Sequence, residues 1–211
     1  MNLLTFFVCV NLFCCLLFGT VSSGIYDCIN LINEDPFHYY ANSKNVENIF
    51  DENDIKVAIE VGSWMGGGST RHMGELLKKR GGVLYAIDTW LGNTTQQPGC
   101  LHYQPILPQV YQQFLSNMIH WNLTDVVVPC RMRSLEAAKA LKVTPDLIYI
   151  DAEHTTEAVY EDLVAWYPLV EGRGILCGDD WGWESVRLAV QTFANERGLM
   201  IEADGAFWRL Y

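Results

Sequence analysis

Basic residues are scarce in this chain: 14 Lys and Arg stand against 25 Asp and Glu, a formal net charge of -11 over 211 residues. Gripping a phosphate backbone needs clustered cations, and here they are scattered; the run Lys78-Lys79-Arg80 falls where a helix should end. Nucleic acid is therefore a poor partner. Charge of either sign is missing from Met1 to Ser23, a stretch dominated by Leu, Phe and Val. So apolar a beginning reads as a secretory signal or a short membrane anchor. No Lys or Arg precedes the apolar run, however, and Gly19-Thr20-Val21-Ser22-Ser23 is only loosely cleavage-like, so a buried N-terminal helix is the alternative. The first reading places the protein in the secretory pathway or at a membrane, the second in the cytoplasm. Repeats, low-complexity tracts and cysteine spacings of the metal-finger or redox type are also missing. Cys130 and Cys177 lie in strand-like runs and read as buried free thiols, whereas Cys28 and Cys100 can pair if the chain is secreted. Asn93-Thr94-Thr95 and Asn122-Leu123-Thr124 are glycosylation sequons, meaningful only in a eukaryotic secretory route.

What is present supports one sizeable core. Half of the chain is apolar and 18% is charged, the balance of a single globular domain. Residues 1–23 stand apart as the signal or anchor segment, residues 24–54 are expected to form a helical cap, and residues 55–211 the main domain. From Lys56 onward, short apolar runs alternate with stretches of helical spacing. Lys56 to Val61, Val83 to Ile87, Val126 to Val128, Leu147 to Ile150 and Gly174 to Cys177 read as strands. The helices between them are marked by Met73, Leu76 and Leu77, by Phe114, Leu115 and Met118, by Ser134 to Leu141, and by Val159, Leu163 and Trp166; Val186, Val190 and Phe193 mark the last. Strands apolar on both faces, alternating with helices, predict a doubly wound, mostly parallel α/β sheet of the Rossmann-like kind. The chain then ends on Leu199 to Glu202, Asp204-Gly205 and Ala206 to Leu210, an antiparallel C-terminal hairpin. Leu91 to Pro108, rich in Gly, Pro, Gln and Asn, is long enough for a lid over a site, or a variable surface loop.

In such sheets ligands bind beyond the carboxyl ends of the strands. The first strand ends in Glu60-Val61-Gly62-Ser63-Trp64-Met65-Gly66-Gly67-Gly68-Ser69-Thr70, where glycines admit close backbone approach and a helix N-terminus supplies free N–H groups. Asp88 follows the second strand, 22 residues beyond Gly66, where a carboxylate can accept both hydroxyls of a ribose. The alternatives are tight packing for the turn and a solvated turn residue for Asp88. The spacing is not Gly-x-Gly-x-x-Gly, which disfavours a nicotinamide cofactor. Asp151-Ala152-Glu153-His154 follows the fourth strand and Gly178-Asp179-Asp180-Trp181 the fifth. If those strands are neighbours, roughly 5 Å apart, three carboxylates meet at one edge. Crowded like charges raise one another's pKa, and a hard divalent cation such as Mg²⁺ removes the conflict. Otherwise Asp151 orients a cofactor or caps a helix, and Asp179-Asp180 is a solvated turn. Trp90, Trp181 and Trp183 flank these ends as an aromatic wall or as core. Glu153, Glu157, Glu161 and Asp162 read as a solvated helix face.

From about Val57 to Tyr211 the sequence resembles the class I S-adenosylmethionine-dependent methyltransferases, through Glu60-x-Gly62 and its following glycines, Asp88 and the terminal hairpin. The resemblance implies that Glu60, Gly62 and Ser63, with Gly66 and Ser69 in the same turn, hold the methionine part of the cofactor. It implies Asp88 at the ribose and Ser134 near the adenine. The acids resemble those of the metal-dependent small-molecule O-methyltransferases, whose ligands map onto Asp151, Asp179 and Asp180. In the sugar-modifying branch a His three residues after the first ligand is the base, which matches His154, expected to be kept neutral by a helix N-terminus. A nucleotide-linked oxidoreductase and a non-catalytic protein retaining the fold are the rival readings.

Overall fold

The structure is a computed structural model that describes residues 23–35, 40–92 and 107–211. The apolar segment up to residue 22, most of the expected lid, Cys100 and the sequon at Asn93 lie outside the described residues. The central strand, β1 (Val57–Val61), pairs in parallel with β2 (Val83–Asp88) on one side and β4 (Leu147–Ile150) on the other. β3 (Val127–Arg131) extends the β2 side, and β5 (Ile175–Gly178) the β4 side, both in parallel. Beyond β5 lie β7 (Phe207–Leu210) and β6 (Ile201–Asp204), both pairings antiparallel, giving the order β3-β2-β1-β4-β5-β7-β6. The doubly wound sheet and its terminal hairpin are as expected, with Gly205 at φ 61 in the Asp-Gly turn.

Alternate residues of each parallel strand face opposite layers, because side chains on a strand have period two. Ala58, Leu84, Val127, Leu147 and Tyr149 pack in one core with helices α1 (Ser43–Glu52), α2 (Ser69–Arg80) and α3 (Val110–His120). Ile59, Ile87, Val128, Ile148 and Leu176 pack in the other with α4 (Ser134–Ala140), α5 (Thr156–Trp166) and α6 (Glu184–Arg197). Burial on both faces explains why these strands carry no apolar–polar alternation.

Local chemistry sets the helix ends. Gly81, at φ 67, closes α2 with its N–H on the Leu77 and Lys78 carbonyls, while Lys78, Lys79 and Arg80 face the negative helix end. The same helix starts at Ser69. Gly66, at φ 76, bends back to give its N–H to the Ser63 carbonyl, so the glycines form a turn before the helix. Cys130 and Cys177 are buried, as read from their runs, and Cys28 is exposed. Among the described residues no helix is long and apolar enough to cross a membrane.

Candidate active site

Strand order reverses between β1 and β4, and the two strand ends meet there. Gly62 has φ 92, and a Cβ built on it would lie 1.8 Å from the Asp151 carbonyl oxygen. Only glycine lets the β1 turn pass this close to the backbone beyond β4. Glu60 underpins the turn. It is fully buried and accepts hydrogen bonds from Ser63 Oγ at 2.7 Å, Ser69 Oγ at 2.5 Å and Thr70 Oγ1 at 2.5 Å. Glu60, Ser63 and Ser69 are thus brought together as expected, but their side chains bind one another and brace the turn from within.

Burial pushes the Glu60 pKa up, against the three hydroxyl donors, from 4.5 to about 7. A raised acid pKa means that the folded chain keeps its proton after the unfolded chain has lost it. The stability present below pH 4.5 therefore falls as pH rises, by about 3 kcal/mol in all once pH passes about 7. In urea titrations, Glu60→Gln should remove that share of the pH dependence between these limits; an unchanged slope would contradict the assignment.

Asp88 closes the turn from β2. Its Oδ2 accepts from the N–H groups of Ser63 at 3.0 Å and Trp64 at 2.9 Å, and its Oδ1 from that of Trp90 at 2.7 Å. A carboxylate has about four acceptor positions, so capacity remains toward the cleft. Trp64 and Trp90 both take positive φ, 47° and 52°, strained for bulky residues, and Trp90 Nε1 bonds the Trp64 carbonyl at 2.6 Å. Trp90 packs on Tyr111 and Phe114 at ring distances of 4.6 and 4.8 Å, which makes it core and not wall. Asn117, fully buried on α3, donates to the Met65 carbonyl at 2.7 Å and fixes the turn from outside.

The acidic edge forms because β4 and β5 are neighbours, Ile150 standing opposite Gly178. Ligand atoms of Asp151, His154 and Asp180 lie within 4.8 Å of one another. His154 Nε2 is 2.7 Å from Asp180 Oδ2, and its Nδ1 is buried with no hydrogen-bond partner. Asp179 lines the same edge and is held on both oxygens: Oδ2 accepts from the Tyr149 hydroxyl at 3.2 Å and Oδ1 from the Asp180 N–H at 2.7 Å. Asp180 itself sits at φ 60, a left-handed conformation that holds its carboxylate at the edge. Burial, then repulsion from Asp179 and Asp180, pushes the Asp151 carboxyl well above the usual range. A small cavity at this edge is lined by Asp151, His154, Asp179, Asp180, Val186 and Trp208.

Two expectations change. His154 precedes the α5 cap, Thr155, and its neighbours outweigh the helix end. Burial lowers its pKa, but the hydrogen bond to Asp180 and the surrounding carboxylates more than reverse this, so it is raised and not lowered. Ser134 opens α4, yet its hydroxyl donates to Asp162 and accepts from Trp166 Nε1 at 2.8 Å, tying α4 to α5. Asp162 is therefore buried and not part of a solvated face, its pKa raised by burial to about 6. Trp183, 45% exposed, stacks on His154 with ring centres 4.9 Å apart, while Trp181 packs against the core. Tyr149 and Asn42 were missed. The signal for Tyr149 was a phenol in an otherwise aliphatic strand, which needs a buried partner.

Residues 59–181 match the family described as Methyltransferase domain. The fold is similar to the O-methyltransferase NovP, at 16% identity and TM-score 0.64 over 80% of this chain and 76% of that one. It is similar to the O-methyltransferase TomG from Streptomyces achromogenes, in complex with SAM, at 14% identity and TM-score 0.59, covering 89% and 84% of the two chains. The SAH-bound methyltransferase PaMTH1 of Podospora anserina aligns at 12% identity and TM-score 0.61, covering 80% and 76%. A glycine turn after β1, an acid after β2, an antiparallel hairpin at the sheet edge and a family match over more than half its length agree: this chain belongs to the class I S-adenosylmethionine-dependent methyltransferases.

Proposed function

We propose that the protein moves a methyl group from S-adenosylmethionine to a hydroxyl of a small molecule, assisted by a divalent cation of the Mg²⁺ kind. The observation that carries this reading is the convergence of Asp151, His154 and Asp180 beside the glycine turn, at the point where strand order reverses. Two relatives in fold, NovP and TomG, are O-methyltransferases by name. The donor set suits the cation, because carboxylate oxygens crowded enough to raise one another's pKa are relieved by a hard positive charge. Asp151, Asp179 and Asp180 would hold it. When bound, it supplies Lewis acidity that lowers the pKa of the acceptor hydroxyl.

The remaining work falls to the chain's own residues. Gly62 and Ser63, with Gly66 in the same turn, shape the surface on which the methionine part of the cofactor lies, and Asp88 faces the ribose. With its Nε2–H committed to Asp180, neutral His154 carries its lone pair on Nδ1, the atom that takes the acceptor's proton. Trp183 covers one face of that imidazole and offers its own half-exposed face to a ring-shaped acceptor. Positioning then does most of the catalysis, as the oxygen and the methyl carbon are held in line.

Transfer of labelled methyl to a panel of hydroxylated small molecules tests the reading. His154→Ala should bind S-adenosylhomocysteine like the wild type and lose about 10²- to 10⁴-fold in turnover. A chelator should stop the wild type, and added Mg²⁺ should restore it. Turnover untouched by both changes would overturn the cation and base assignments.

A further inference from the structure

Asn42 stands at the N-cap of α1, where an Asn side chain ordinarily accepts from the helix's first-turn N–H groups. It makes no such bond. Instead the side chain, 1% exposed, turns inward, and its Nδ2 donates to the Tyr149 hydroxyl at 3.0 Å. Tyr149, fully buried in β4, donates its hydroxyl hydrogen bond to Asp179 Oδ2. The second oxygen of Asp179 is held by the Asp180 N–H. The Tyr40 ring meets Tyr149 edge-on at 6.2 Å and borders this line of bonds on the N-terminal side. Two local preferences are given up here: a helix forgoes its best capping bond, and a phenol replaces an aliphatic residue in a core strand. Both groups that break the local rule point at one carboxylate, the usual mark of residues kept for a site.

We infer that Asn42 and Tyr149 are positioning residues, a relay that fixes the Asp179 carboxylate and so couples the ordering of α1 to the geometry of the acidic edge. The relay acts through Asp179, and through the backbone bond from Asp180 to Asp179. Buried hydrogen bonds in series reinforce one another, so removing either member should release the carboxylate almost as fully as removing both. The consequence for the cation rests on the function proposed above. The consequence for stability does not.

The full chain carrying Tyr149→Phe, Asn42→Leu or both tests this in two ways. Mn²⁺ titrated calorimetrically into the S-adenosylhomocysteine complex should bind about tenfold or more weakly to Tyr149→Phe, as when other outer-shell partners of a metal ligand are removed. Asn42→Leu should weaken it in the same direction, and the double variant should be no weaker than Tyr149→Phe. In chelator, the folding equilibrium of the double variant should fall no further than that of the worse single variant. Wild-type Mn²⁺ affinity in Tyr149→Phe, or losses in folding that multiply, would overturn the relay. A wild-type protein that binds no Mn²⁺ would overturn the cation reading, and the folding cycle alone would then decide the relay.

Discussion

Gly62→Ala is expected to cost more than about 4 kcal/mol of stability and to abolish cofactor binding, because it combines two of the most damaging kinds of substitution. A methyl group at this position would sit 1.8 Å from the Asp151 carbonyl oxygen and 2.7 Å from the Ala152 Cα, both backbone atoms that no rotamer change can move. The φ of 92° adds strain for any side chain. Relief requires β1 and β4 to separate at their carboxyl ends, and that opens the place where the glycine turn meets the acidic edge. Urea unfolding with S-adenosylhomocysteine titration on the same preparations measures both effects. Gly81→Ala is the control: it shares a positive φ, 67°, but has open space around its Cβ. It should cost only about 1 kcal/mol and leave binding intact. A Gly62→Ala protein that folds and binds normally would mean that the close approach of the two strand ends is not needed.

Asp151→Asn should do the opposite to stability while removing activity. The Asp151 carboxyl is raised first by burial and then by Asp179 and Asp180. It is an acid with a raised folded pKa, so its contribution is full at low pH and is lost as pH climbs past the ordinary carboxylate range toward the raised value. At pH 8 in chelator the neutral amide avoids that loss, and the variant should be more stable than the wild type. Millimolar Mg²⁺ should then raise the melting temperature of the wild type but not of Asp151→Asn, since binding to the folded state alone stabilises it. Labelled methyl transfer should fall below about 1% of wild type, the size of loss expected when electrostatic stabilisation is removed. A variant less stable than the wild type under these conditions would show that Asp151 is held by bonds that favour its charged form.

The alternation of strands and helices was legible because each parallel strand is buried on both faces and so written as a short apolar run. The glycine turn was legible for a related reason: Gly62 and Gly66 both hold positive φ, and few residues other than glycine do so cheaply. Proximity of Asp151 to Asp180 followed from strand order alone. The direction in which each carboxylate points did not. The Asp179 carboxylate is held by Tyr149, and Tyr149 by Asn42, 107 residues earlier in the chain. No local pattern encodes a bond of that span. Asp162 was misjudged for the same reason, finding its partner Ser134 about one strand–helix unit away, where helices α4 and α5 touch. His154 shows how a charge in contact at 2.7 Å outweighs a helix terminus that begins two residues later.

Calorimetric titration of the wild-type protein with S-adenosylhomocysteine and, separately, with NADH tests the central claim most directly. S-adenosylhomocysteine should bind at one site, and Asp88→Ala should weaken it, while NADH gives no saturable heat. Saturable binding of NADH with none of S-adenosylhomocysteine would contradict the account and assign the glycine turn at Gly62 to another chemistry.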